Sequence, residues 1–216
     1  IRGCRFCQAG MIYRPVREKS PEVLDSQCRK LYENTGFDEI SLCSLSISDY
    51  SRLGELTDRL LSWTENKNVS ISLPSLRVDS FTKELMEKIS SVRASGITFA
   101  PEAGTQRMRD VINKNVKSDD LMRACGTAFE AGKNQVKLYF MNGLPTETKE
   151  DIEGIAKLAK DVIELYYSLP GTKKSRQPQV TISVSCFIPK PFTPFQWEAQ
   201  DSLELLEEKQ RWLREA

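Results

Sequence analysis

No histidine occurs in this 216-residue sequence, and that absence alone removes a menu of chemistry. A Ser-His-Asp triad, a Cys-His nucleophile, a His-containing zinc site and an imidazole general base are all excluded. Long apolar runs are missing too. No stretch approaches the roughly 20 residues that a membrane-spanning helix needs, and the N-terminus lacks the basic-then-apolar layout of a signal peptide. A soluble, cytoplasmic protein with no membrane partner is the expectation. Nor does either sign of charge dominate: 31 Lys and Arg stand against 30 Asp and Glu, for a formal net charge of +1. Whole-molecule electrostatics therefore make no case for nucleic acid or an anionic membrane. An initiator Met is also lacking, and the opening IRGCRFC reads as the edge of a piece of something longer.

What is present is a chain long enough for one good-sized core or two small domains. Its six cysteines, at 4, 7, 28, 43, 125 and 186, are too scattered for a small secreted disulfide scaffold, and a reduced compartment is expected. Five short segments rich in β-branched or aromatic residues read as strands: residues 38–47, 68–73, 95–100, 135–141 and 180–188. Stretches with three-to-four spacing lie between them. Leu24, Cys28, Leu31 and Tyr32 mark a helix with Ser20 as its N-cap, Pro21 in its first turn and Gly36 past its end. Leu53, Leu56, Leu60 and Trp63 mark a second, and Leu85, Ile89 and Val92 a third. A fourth carries Leu121, Ala124, Cys125, Ala128 and Phe129, ending near Gly132. The longest follows Thr148 and Asp151, spaced as a capping box, and a last one starts near Ser202.

Strand and helix in alternation predict an α/β fold with a parallel sheet, either open and doubly wound or curled into a barrel. In both, function gathers at the carboxyl ends of the strands. The polar stretch from Pro170 to Pro178 reads as an exposed connection. Cys28, Cys43, Cys125 and Cys186 fall on apolar faces or within strands and read as buried structural thiols.

Cys4 and Cys7 form a Cys-x-x-Cys pair at the very edge of the chain. A zinc ribbon would need a second pair, and the other cysteines are isolated. A thioredoxin-like redox pair would open a helix, whereas QAGMIYRPVREKSP with Pro15 promises none. Two incidental thiols are the bland alternative. Thiolates at short spacing on a loop are also what an iron-sulfur cluster requires, and that is the favoured reading.

The string GCRFC resembles the second half of the Cys-x-x-x-Cys-x-x-Cys loop of the radical S-adenosylmethionine (radical SAM) superfamily, with Phe6 as the aromatic before the last Cys. The first Cys of that pattern would fall one position before Ile1. Further strings, CRFCQAGMIYRPVREKSPE, FAPEAGTQRMR, LYFMNGLPTET and FIPKPFTPFQW, extend the resemblance over nearly the whole chain. They look most like a bacterial subgroup whose full-length members carry a cobalamin-binding-type domain before the radical SAM core. The resemblance implies a partial (β/α)6 TIM-like barrel, truncated at the N-terminus so that the first strand is missing. Residues 1–216 would be the core domain, without the upstream domain.

It also implies a 4Fe-4S cluster with Cys4 and Cys7 as metal ligands, and SAM chelated to the open iron. One-electron reduction would cleave SAM to methionine and a 5′-deoxyadenosyl radical, with a flavodoxin or ferredoxin as electron donor and cobalamin as a further cofactor held by the absent domain. With only two of three ligands, residues 1–216 alone should hold the cluster poorly and be inactive. By the same resemblance Phe6, Ser44, Ser46, Ser75, Arg77, Glu102, Gly104, Arg109 and Gly143 would bind the cofactor. Ser44 and Ser46, with Leu45, would offer groups to the SAM amine, and Arg77, assisted by Ser75, would pair with its carboxylate. Glu102 would accept the ribose hydroxyls while Gly104 permits close approach, and Arg107 or Arg109 would brace the carboxylates at the mouth. Gly143, in the turn Asn142 to Pro145, would lie against adenine, and the loop with Phe192, Phe195 and Trp197 would cover the mouth.

The substrate is left open between RNA, a ribosomal component and a metabolite. A methylthiotransferase-like enzyme is one rival, and a non-catalytic scaffold that contacts RNA or protein is another. The basic stretch Arg2, Arg5, Arg14, Arg17 and Lys19 reads as a solvated rim or part of the SAM carboxylate environment, with a phosphate contact as its rival.

Overall fold

Local sequence sets most element ends in the computed structural model, which describes residues 2–73, 97–170 and 177–216. The Ser20 side chain accepts from the Val23 N–H at 3.4 Å and starts α2 (Pro21–Thr35), which Gly36 ends at φ 69°. Asp151 accepts from the Thr148 N–H at 2.9 Å, as the capping box predicts, and opens α6 (Lys149–Ser168). Ser202 caps α7 (Leu203–Glu215) in the same way as Ser20. The other helices are α1 (Ala9–Ile12), α3 (Leu53–Thr64), α4 (Gln106–Val111) and α5 (Ser118–Glu130). The helix predicted around Leu85, Ile89 and Val92 lies outside the described residues, as do Ser75, Arg77 and most of the connection after Pro170.

All pairing among the described strands is parallel. β1 (Glu39–Ser41) pairs with β2 (Ser70–Ser72), and β3 (Ile97–Glu102), β4 (Gln135–Asn142) and β5 (Gln179–Cys186) pair in that order. The chain is therefore α/β with helices between parallel strands, as the alternation predicts. Among the described residues the strands form two sheets and no closed barrel. No described helix is long and apolar enough to cross a membrane.

Two cores follow the two sheets. Ile40 and Ile71 pack with Leu56, Leu60 and Trp63 beside the first. Phe99, Leu138 and Phe140 pack with Leu121, Cys125, Phe129, Ile155 and Val162 beside the second. Fully burying each such large side chain contributes about 1.5–3 kcal/mol. A third, smaller cluster of Ala103, Met108, Ile112, Leu144, Phe187 and Phe195 gathers where β3, β4 and β5 end, with Phe6 packed against it.

The first strand is shorter than its apolar pattern suggests. Pairing stops after the Leu42 N–H donates to the Ser72 carbonyl at 3.0 Å. The Ser44 hydroxyl then accepts from the Ser46 N–H at 3.2 Å, a local bond that turns the chain away from the ladder. It leads into a 3-10 turn at Ile47–Asp49. This corrects the expectation for Cys43, which lies exposed beyond the strand, and Cys186, at the end of β5, is exposed as well. Cys28 and Cys125 are buried as expected, and burial pushes the Cys125 thiol up to about 12. None of the six cysteines is joined in a disulfide.

Candidate active site

Strand β3 loses register with β4 between Phe99 and Glu102, a bulge that re-aims its last residue. Glu102 sits at φ 69°, in the left-handed region where a non-glycine residue costs of the order of 1–3 kcal/mol. Its carboxylate meets Lys114 Nζ at 3.0 Å, with both side chains largely shielded. Lys114 is aimed there by a turn in which its neighbours Asn113 and Asn115 are also left-handed, at φ 53° and 52°. Asparagine tolerates that conformation better than most residues.

The same turn holds the cysteine loop. Asn113 Nδ2 donates to the Gly3 carbonyl at 2.8 Å, the Arg5 N–H to the Ile112 carbonyl at 2.9 Å, and Arg5 Nη1 to the Val111 carbonyl at 2.6 Å. On its other side, Gln8 Nε2 donates to the Pro191 carbonyl at 3.2 Å and the Phe195 N–H to the Arg5 carbonyl at 3.4 Å. Arg2 reaches Asp49 at 2.6 Å and ties the loop to the turn after β1. Within the loop the Cys7 N–H donates to the Cys4 carbonyl at 3.1 Å. The loop is thus clamped from three sides, with both thiols half-buried.

Cys4, Phe6, Cys7, Ser44, Ser46, Glu102 and Lys114 line one cavity of about 880 Å³, towards the upper end of the range for small-molecule sites. The structure therefore brings together six of the sequence-predicted residues, and Lys114 joins them. Sequence reasoning missed Lys114; its one signal was a cation between two asparagines, the residues most at home in tight turns. The Ser46 hydroxyl in this wall is buried without a hydrogen-bond partner among the described residues. A buried polar atom left unpaired is costly, and a bound polar ligand would satisfy it.

Three predicted residues lie elsewhere. Arg109 is 1% exposed, and its guanidinium is spent on the Ala103, Gly104 and Val116 carbonyls and the side chains of Gln106 and Ser118. It stitches the β3–α4 turn together from beneath. At Gly104 the close approach is to α6: a Cβ there would meet Ile155 N at 2.3 Å and the Gly154 carbonyl carbon at 2.5 Å. Gly143, at φ 78°, faces Asp201 and Leu206, and its N–H donates to Glu147 at 2.7 Å. Arg107 pairs with the buried Asp151, to which Thr105 also donates, so its brace reaches α6. Phe195 packs edge-on against Phe187, while Phe192 and Trp197 are exposed.

The α/β scaffold thus brings two thiols, a shielded Glu–Lys pair and an orphaned hydroxyl around one cavity. Residues 1–159 match the Radical SAM superfamily model, and the chain belongs to that superfamily of enzymes. It is similar to an uncharacterized protein of Methanocaldococcus jannaschii, 36% identical over 200 residues that cover 93% of this chain and 41% of the relative. A second uncharacterized protein, of Methanopyrus kandleri, is 24% identical over 76% of this chain and 33% of its own length. The chain thus spans less than half the length of these relatives.

Among solved structures it resembles coproporphyrinogen III oxidase (HemN) from Escherichia coli, a radical SAM enzyme, with TM-score 0.62 and 14% identity over 99% of this chain and 50% of that one. SuiB of Streptococcus suis, solved with its precursor peptide SuiA, gives TM-score 0.60 and 13% identity over 98% of this chain and 42% of that one. At such identities the likeness is one of fold.

Proposed function

We propose that this cavity binds a 4Fe-4S cluster and SAM, and that the chain is the catalytic core of an enzyme that starts its reaction by reductive cleavage of SAM. The observation that carries the reading is the convergence of the Cys4 and Cys7 thiols with the Glu102–Lys114 pair and the Ser46 hydroxyl on one cavity. The donor set fits in part. Among the described residues no group of three His, Cys, Asp or Glu side chains is placed to hold a metal, and Cys4 and Cys7 would supply two thiolate ligands. When bound and reduced by an external one-electron donor, such a cluster would supply one electron for cleavage of the SAM sulfur-carbon bond.

The chain's own residues then position and protect. Glu102 accepts from the ribose hydroxyls, and Lys114 beside it reaches the methionyl carboxylate together with Arg77. Ser44 and Ser46 meet the amino group, and Phe6 closes the apolar side of the loop. Arg109, Gly104 and Gly143 act through the scaffold, by fixing the turns from which these groups project. The two sheets would be arcs of a partial (β/α)6 barrel around the cofactor. We also read the chain as part of a longer enzyme with a cobalamin-binding-type domain, which the greater length of its relatives leaves room for. Hydroxocobalamin binding to the full-length protein, followed by its visible absorption, tests that point, and no spectral change would remove it.

The main test is anaerobic reconstitution of the full-length protein with iron and sulfide, followed by reduction and assay of 5′-deoxyadenosine from SAM. The nucleoside should form, and Cys4→Ala or Cys7→Ala should abolish it. A cluster that forms in both variants as in the parent would overturn the assignment.

A further inference from the structure

Charge around the cavity is not as balanced as in the chain overall. Five cationic side chains, Arg2, Arg14, Arg17, Lys19 and Lys114, line it against the three carboxylates Glu18, Asp49 and Glu102. Every one of those carboxylates is already held. Arg2 lies 2.6 Å from Asp49, Lys114 lies 3.0 Å from Glu102, and Glu18 accepts from both the hydroxyl and the N–H of Ser51. The surplus is therefore cationic and falls on the segment between α1 and α2. Among the described residues Arg14 spends only its Nε, on the Gly10 carbonyl at 2.8 Å. Arg17 makes no hydrogen bond or ion pair among the described residues.

This segment is strapped down rather than loose. Beyond the Arg14 bond at one end, the Tyr50 hydroxyl donates to the Lys19 carbonyl at 2.8 Å and Ser51 holds Glu18 at the other. Apolar side chains on it and beside it nevertheless stay open to solvent while lining the cavity: Tyr13 and Val16 of the segment are each 60% exposed, Ile12 at the end of α1 51% and Leu45 beyond β1 62%. A merely solvated rim gives no reason for four large apolar side chains beside two guanidinium groups that form no ion pair among the described residues. Apolar walls with a few convergent polar groups are the pattern of a ligand site, and the planar guanidinium fork matches an oxyanion in two-point contact.

We propose that Arg14 and Arg17 bind an oxyanion group of the substrate, phosphate or carboxylate, and that an apolar or aromatic body attached to it packs against Ile12, Tyr13, Val16 and Leu45. The assignment rests on reading the inner cavity as the SAM site, where Lys114 and Glu102 are committed to the cofactor. The strap then forms the outer wall, and it selects an anionic substrate in a molecule of near-zero net charge.

Ligand-observed NMR on the full-length protein tests this with three small probes: phenyl phosphate, phenylacetate and the neutral benzyl alcohol. One of the two anions should bind at least about tenfold more tightly than benzyl alcohol, and Arg14→Gln with Arg17→Gln should remove about tenfold or more of that affinity. Which anion binds better identifies the group. SAM affinity should be unchanged in the double variant, and Arg14→Lys with Arg17→Lys should restore part of the anion binding. Equal binding of all three probes, or a double variant that binds like the parent, overturns the proposal. An equal loss of SAM affinity also overturns it, because the two arginines would then serve the cofactor. If the parent discriminates the anions but never binds SAM, the cofactor reading falls and the anion site stands.

Discussion

Glu102 is the residue on which backbone strain and the proposed cofactor contact meet. Its left-handed backbone is unfavourable for any side chain, and the bulge that imposes it also points the carboxylate at Lys114. Hydrogen bonds to a charged acceptor contribute about 1.5–3 kcal/mol, so Glu102→Ala should weaken SAM binding about tenfold or more. Glu102→Gly should weaken it equally yet be more stable than Glu102→Ala by about 1 kcal/mol, since glycine adopts positive φ without penalty. Calorimetric SAM titration and thermal melts of the two variants check both halves. Unchanged SAM affinity in either would remove Glu102 from the site. Part of this was legible in the sequence, where PEAGT marked an acidic residue at a strand end. The matching cation was not, because Lys114 is 12 residues away and reaches Glu102 only through the fold of α4 and the turn after it.

At the scale of elements, Asp151 joins α6 to the β3–α4 turn. It caps its own helix through Thr148 and accepts from Arg107 and Thr105 across the interface. Burial alone would raise its carboxyl, but Arg107, Thr105 and Thr148 together hold it below the ordinary value. Its stabilising contribution is therefore complete above the ordinary value near 3.9 and is lost as the pH falls through the lowered one. Asp151→Asn should cost about 1–3 kcal/mol at neutral pH, and the gap from the parent should narrow in acid. Urea unfolding at pH 7 and pH 3 measures this, and an equal gap at both would argue against a titrating carboxylate. The crossing beside it is set by Gly104 and Gly154, whose missing side chains let turn and helix meet backbone to backbone. The sequence showed the capping box plainly; it did not show that the same carboxylate also serves a second element.

Across the whole molecule, the last helix is fastened by a buried cluster. Lys209 Nζ lies 2.6 Å from Asp201 and 3.0 Å from Glu147, and Glu147 in turn accepts from the Gly143 N–H. Burial alone would lower the Lys209 ammonium, yet Asp201 and Glu147 outweigh it and hold it above its ordinary value. Its contribution is full below the ordinary lysine value and fades only as the pH rises through the raised one. Lys209→Met leaves Glu147 buried without its counter-charge and should cost about 3–5 kcal/mol. Hydrogen exchange should then show residues 203–215 opening first. Retained protection there would show that α7 is held by its apolar face alone.

The sequence by itself determined what is local. Apolar period, N-caps, Gly36 and the capping box marked α2, α3, α5, α6 and α7, but not α1, which forms where the stretch with Pro15 promised no helix; β-branched runs marked five strands and their alternation with helices the parallel pairing, since these features act over a few residues. Cys4-x-x-Cys7 and its neighbours were enough to place the chain in its superfamily. The tertiary structure decided which charged groups face the cavity and which support it. Arg109 and Lys114 are both cations near the end of β3, but one is buried among carbonyls and the other is aimed at Glu102. Gly3 is bonded to Asn113 across 110 positions of sequence. Contacts of that span depend on how sheets and helices close on one another, and no local pattern encodes them.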